Sequence, residues 1–137
     1  MKSTIQFRVR YQETDQMGIV HHSVYYVWFE MGRTEWMRER GMAYRDCEER
    51  GWLLPLVESG CRYVSSATYD DIIELETVMV PEKGISFRFE YTARKLPEQT
   101  VLARGFTLHV CANRDQKIDK TATKQLKSLF EDLMIGL

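Results

Sequence analysis

Between Ser23 and Arg40 the chain changes its hydrophobic period, and that change constrains the fold more than any other feature. Tyr25, Trp28, Phe29, Gly32 and Trp36 recur at i, i+3, i+4, i+7 and i+11, the spacing of one helical face. The first half, VYYVWFEM, is apolar nearly all round, while the second, GRTEWMRER, carries its charges to one side. Such a helix is expected to be sunk in a core at its start and to reach solvent at its charged end. Arg38 and Arg40 suit the negative end of the helix dipole, and Gly41 supplies a stop.

Around that segment the period is two. Ile5 to Tyr11 alternates Ile5, Phe7, Val9 and Tyr11 against Gln6, Arg8 and Arg10, the pattern of a half-buried strand. Leu53 to Val64 reads as a strand interrupted near its start by Pro55, and Ile73 to Met79 as another. The clearest alternation is Ile85, Phe87, Phe89, Tyr91 and Ala93. A last strand from Thr100 to Ala112 places Leu102, Phe106, Leu108, Val110 and Ala112 on one side, which turns His109 to solvent or to an interface. Residues 81–84 and 96–99 read as reversals because proline and glycine sit where tight turns favour them. A short helix is expected from Ala43 to Arg50, and an amphipathic one from Thr123 to Met134 through Leu126, Leu129, Phe130 and Leu133. One-sided strands need a cover, and the early helix is the only long apolar one available. The expectation is a single α+β domain over residues 1–137: a five-stranded antiparallel sheet wrapped around a long central helix, its last four strands joined by consecutive hairpins.

Bulk properties exclude several classes of partner. The net charge of -1 gives no general attraction to nucleic acid or to an anionic membrane. The odd set Cys47, Cys61 and Cys111 lacks any CxxC pair, so neither a disulfide framework nor a zinc site is indicated and a reducing, cytoplasmic setting is expected. The opening MKSTIQFRVR has no apolar signal core, and no stretch approaches the roughly 18 apolar residues of a membrane-spanning helix.

The chemistry concentrates between the first strand and the long helix. Asp15 lies in a polar loop three residues before Gly18, and His21 and His22 stand just ahead of the helix. A helix start offers unpaired N–H groups and a partial positive charge, a fit for a developing oxyanion. An aspartate beside it can act as nucleophile or as base for water. A thioester suits such a site, because a thiol of pKa about 8.5 departs without a strong proton donor. Taken alone, an aspartate before a helix is more often a turn or cap residue.

The surroundings carry more information. Thr14-Asp15, Gly18, Ile19-Val20, His21-His22 and Tyr25 resemble the aspartate loop of hotdog-fold acyl-CoA thioesterases of the 4-hydroxybenzoyl-CoA thioesterase branch. The similarity continues through Trp28-Phe29-Glu30, Gly32 to Trp36, Cys61-Arg62-Tyr63, Tyr69-Asp70-Asp71 and the strand from Phe87 to Arg94, as far as about Asn113. It departs at Ser23-Val24, where the family commonly has Ala-Asn before the tyrosine.

The resemblance implies a hotdog fold and hydrolysis of an acyl-CoA, with Asp15 as the catalytic carboxylate and His22 as a second functional residue whose backbone N–H polarises the carbonyl. Gly18 would let the loop approach substrate, Tyr25 would add a contact to its core packing, and His21 would be a surface or structural residue. Arg94 and Lys95 are either solvated strand-end charges or contacts to the CoA phosphates. No metal or bound cofactor is implied, and a homodimer or homotetramer joined edge to edge is expected. A non-catalytic binding module for acyl-CoA or acyl-carrier protein, and a hydratase or dehydratase, are the other classes on the same fold.

Overall fold

A computed structural model describes residues 2–80 and 82–135. Its strands are β1 (Lys2–Arg8), β2 (Leu56–Tyr63), β3 (Ile72–Val80), β4 (Phe87–Leu96) and β5 (Thr100–His109). Its helices are α1 (Val24–Glu39), α2 (Tyr44–Glu49) and α3 (Lys120–Ile135), and a 3-10 turn spans Tyr11–Glu13. The strands form one antiparallel sheet in the order β1-β3-β4-β5-β2. α1 lies across its concave face, which is the expected hotdog arrangement.

The five helical positions read from periodicity all turn to the sheet and are buried. Phe29 stacks on Tyr91 of β4 at 4.4 Å, and Trp36 meets Phe89 edge-on at 5.3 Å. Gly32 allows the close approach: a Cβ there would lie 2.4 Å from Thr77 Oγ1 and 2.6 Å from Leu75 on β3. The start of α1 is not sunk on all sides, however. Val27 and Met31 remain 49% and 41% exposed on its far face, because the sheet curls around one side of the helix only. α3 begins at Lys120, where Asp119 Oδ1 accepts the Ala122 N–H at 2.9 Å. It adds Leu126 and Phe130 to the core, while the expected contact of Leu133 lies outside the described side chains.

Four expectations are corrected. β1 stops at Arg8, because the Glu13 carboxylate takes the Arg10 N–H at 2.7 Å and draws the chain into the 3-10 turn that holds Tyr11. β2 starts only at Leu56, one residue past Pro55, which has no N–H for the ladder. The connections are not all hairpins: β3-β4-β5 are, but β2 pairs with β5 and the chain then crosses to β3.

The fourth correction concerns β5. Ala93 pairs with Ala103 but Arg94 with Val101, so Leu102 is an extra residue, a bulge that inverts the in-out order. Leu102 and Ala103 are both fully buried. Beyond them Thr107 and His109 face the core, whereas Phe106 turns outward under the Arg88 guanidinium at 4.0 Å. His109 is therefore not at the surface but 0% exposed.

Its burial is tolerated because a one-way chain of hydrogen bonds satisfies it. Leu54 C=O can only accept, so His109 Nδ1 donates to it at 3.2 Å, leaving Nε2 to accept from Thr107 Oγ1 at 2.9 Å. Thr107 in turn accepts from the Tyr91 phenol at 2.6 Å, and Tyr91 accepts from Arg33 Nη1 at 3.2 Å. Burial, reinforced by the Arg33 charge, pushes the His109 pKa down to about 4.

Candidate active site

The loop that carries Asp15 is built from its own backbone bonds. Asp15 N–H donates to Ile19 C=O at 2.9 Å, and Gly18 N–H returns to Asp15 C=O at 2.9 Å. The carboxylate joins in, since Oδ1 accepts the Met17 N–H at 2.8 Å. Asp15 is thus a turn residue as the bland reading has it, but one whose turn leaves it lining a cavity. Gly18 closes the turn with φ +80, a left-handed conformation that favours glycine. The space around it is open, so its backbone angle rather than a close contact requires glycine.

Two anchors fix this loop against the core. Val20 N–H donates to Ala67 C=O at 2.9 Å, and Ile19 bridges to Thr68. Glu13, only 6% exposed, accepts the Trp28 indole N–H at 3.0 Å and thereby ties the loop to α1. Sequence reasoning missed Glu13, because its role appears only once Trp28 is buried and its N–H needs an acceptor.

The N-terminus of α1 adjoins this loop. His21 Nδ1 accepts both the Ser23 N–H at 3.2 Å and the Ser23 hydroxyl at 2.8 Å, so His21 takes the structural role expected of it. The His21 ring lies tilted against that of His22, centroids 4.2 Å apart, and His22 is exposed. The His22 carbonyl accepts the phenol of Tyr63 at 2.9 Å, while its N–H meets no acceptor among the described residues. Tyr25 is 2% exposed and packs edge-on against Trp28 and Tyr63 at 4.8 and 5.3 Å. Its hydroxyl pKa is pushed up to about 12, first by burial and then by the nearby Cys61.

Asp15, His22, Tyr25 and Tyr63 line one cavity of about 150 Å³, together with Ser65 and Ser66. A second, more open cavity of about 760 Å³ has Asp15 and Gly18 on its wall, with the exposed Tyr11 and Tyr69 beyond. The structure therefore brings Asp15, Gly18, His22 and Tyr25 together around the helix tip. Arg94 and Lys95 are not brought to it: they line neither cavity, and each is paired, with Glu76 at 3.2 Å and Asp71 at 3.5 Å. Tyr63 is a second residue that sequence reasoning passed over. Its signal was its alternation with Cys61 on the inward side of β2.

No group of three or more histidine, cysteine or acidic side chains among the described residues could hold a metal ion. No described helix is long and apolar enough to cross a membrane.

Comparison with known proteins agrees with the fold. Residues 9–133 match the model of the thioesterase-like superfamily. The putative acyl-CoA thioesterase YneP of Bacillus subtilis is 32% identical over 110 residues, covering 80% of this chain and 79% of that protein. Acyl-CoA thioesterase YbgC of Haemophilus influenzae is 29% identical over 128 residues, 92% of each chain. The crystal structure of DHNA-CoA thioesterase from Staphylococcus aureus superposes with a TM-score of 0.88, covering 98% of this chain and 91% of that one, and at 22% identity it attests the fold alone. The chain belongs to the thioesterase-like superfamily of hotdog-fold proteins. Within it, this protein is an enzyme of thioester hydrolysis.

Proposed function

We propose that the protein hydrolyses an acyl-CoA thioester to the free acid and CoA at the cavity shared by Asp15 and His22. The observation that carries this reading is that Asp15 and His22, whose N–H meets no acceptor among the described residues, line one small cavity beside the N-terminal tip of α1. The names of the relatives supply the acyl-CoA.

As a nucleophile, an Asp15 carboxylate oxygen adds to the thioester carbon. The carbonyl electrons move to oxygen and return as the C–S bond breaks, releasing the thiolate and leaving a mixed anhydride for water to cleave. As a base, Asp15 takes a proton from the water that adds. In both routes the His22 N–H and the positive end of α1 hold the oxyanion, and losing one such donor typically costs about 3 kcal/mol in the transition state. The leaving thiol requires no acid on the enzyme.

Two features support a homo-oligomer as the working form: the sheet ends in an exposed strand, β2, paired on one side only among the described residues, and the cavity is walled on that side by Tyr63 of the same strand. Thiol release from a panel of acyl-CoA thioesters, with Asp15→Asn alongside, tests the function. Wild-type protein inert towards the whole panel overturns it. A mixed anhydride trapped in a single turnover selects the nucleophilic route.

A further inference from the structure

Where the chain leaves β2, three hydrogen bonds fix it to the bulge of β5. The N–H groups of Val64 and Ser65 both donate to Leu102 C=O, at 2.7 and 3.1 Å. The Ser65 hydroxyl donates to the carbonyl before it, that of Val101, at 3.0 Å. Leu102 is the residue that the β4 ladder leaves over. A carbonyl only accepts, so the hydroxyl proton is committed to Val101, and Ser65 Oγ has only lone pairs left to offer.

Ser65 is half-buried and shares the cavity of about 150 Å³ with Asp15 and His22. The polar groups on that wall differ in what they can still do. The His22 N–H is a donor, suited to the carbonyl oxygen of a thioester. Asp15 Oδ1 accepts the Met17 N–H, while Oδ2 meets no donor among the described residues. The phenols of Tyr25 and Tyr63 delocalise their lone pairs into the ring, which makes them weaker acceptors than an aliphatic hydroxyl. Ser66 is exposed, and no hydrogen bond among the described residues fixes its hydroxyl. Ser65 is the neutral acceptor that is held in place.

A water that attacks a carbonyl carbon must turn a lone pair towards it, and its two protons then need two acceptors. We propose that Ser65 Oγ accepts the second proton of the hydrolytic water, the first being directed at Asp15. One water takes up about 30 Å³ in the liquid, so the cavity has room for it beside a carbonyl group. The assignment rests on the proposed hydrolysis and deepens it. With Asp15 as base, the water oxygen bonds to the thioester carbon as Asp15 takes the first proton, and the C–S bond then breaks. With Asp15 as nucleophile, the same water adds to the acyl carbon of the anhydride and the bond to Asp15 breaks. In both routes the first proton ends on the Asp15 carboxylate and passes on to the thiolate. The second stays on the attacking oxygen and becomes the hydroxyl of the product acid, so its bond to Ser65 lasts through the step.

Thiol-release kinetics on Ser65→Ala, Ser65→Cys and Ser65→Thr test this, with circular dichroism on the same preparations. Ser65→Ala should lower kcat by about tenfold or more and leave KM little changed, because the water loses its orientation and not the substrate its site. Ser65→Cys, close in shape but with a weakly accepting sulfur, should be slow as well. Ser65→Thr keeps the hydroxyl and should restore most of the rate. A merely structural serine would not divide the variants by acceptor strength. Wild-type kcat in Ser65→Ala, a loss confined to KM, or a Ser65→Thr as slow as Ser65→Ala overturns the assignment. Normal turnover in Ser65→Ala beside an inactive Asp15→Asn removes the role of Ser65 and leaves the proposed function standing, whereas an inert wild type overturns both.

Discussion

The phenol of Tyr63, the last residue of β2, donates to the carbonyl oxygen of His22, two residues before α1, across 2.9 Å. One hydrogen bond thus joins the edge strand of the sheet to the helix entry that carries the proposed oxyanion donor. Tyr63→Phe keeps the ring contacts with Tyr25 and His22 and removes this bond together with the phenol's hydrogen bond with the Cys61 thiol. A single neutral hydrogen bond is worth about 1 kcal/mol, so kcat should fall roughly five- to tenfold with KM little changed. Steady-state kinetics on a thioester substrate check this, and an unaltered kcat would detach Tyr63 from the chemistry.

Asp15→Asn should retain the loop, because an amide oxygen can still accept the Met17 N–H that Oδ1 accepts now. Hydrolysis should nevertheless drop by at least about a hundredfold, whether the carboxylate acts as nucleophile or as base. Thiol-release rates and circular dichroism on the same preparation measure both statements. Near-normal turnover in this variant rules out the mechanism.

His109 predicts a pH dependence of stability. Its folded pKa of about 4 lies below the ordinary value of 6.5, because burial opposes the imidazolium. As the pH falls from 6.5 towards 4, the unfolded chain takes up a proton that the folded one refuses. The contribution is complete above 6.5 and is lost across that window, by up to about 3 kcal/mol. Urea denaturation at pH 7 and pH 5 should reveal it, and His109→Gln should remove this part of the slope. A slope as steep in the variant as in the wild type would assign it to other groups.

Gly32→Ala places a methyl group 2.4 Å from Thr77 Oγ1 and 2.6 Å from Leu75. α1 must then lift from β3, at a cost of about 1–3 kcal/mol. Thermal unfolding should show a lower midpoint, and a variant as stable as wild type would mean that Thr77 and Leu75 have room to move.

The sequence revealed the helix and its buried face accurately because large aromatic side chains at 3.6-residue spacing have only one way to be covered. The Asp15 loop was legible through its neighbours, whose order matched a known signature. Strand order was not, since alternation reports which face of a strand is buried and is silent on which strand lies beside it. The fate of His109 depended on a single unpaired residue, Leu102, and a bulge leaves no mark in a run of alternating residues. Glu13 and Tyr63 escaped notice for a related reason: each acts through one bond to a residue distant in sequence.

The far-side position of β2 has a consequence for the order of assembly. Its only strand partner among the described residues is β5, the last of the five strands to be synthesised, so β2 leaves the ribosome long before it can be paired. Such non-local pairing is slow and leaves an apolar strand open to wrong contacts in the meantime. The Tyr63 wall of the cavity can therefore form only after β3, β4 and β5 have emerged, and the nascent chain acquires this cavity late.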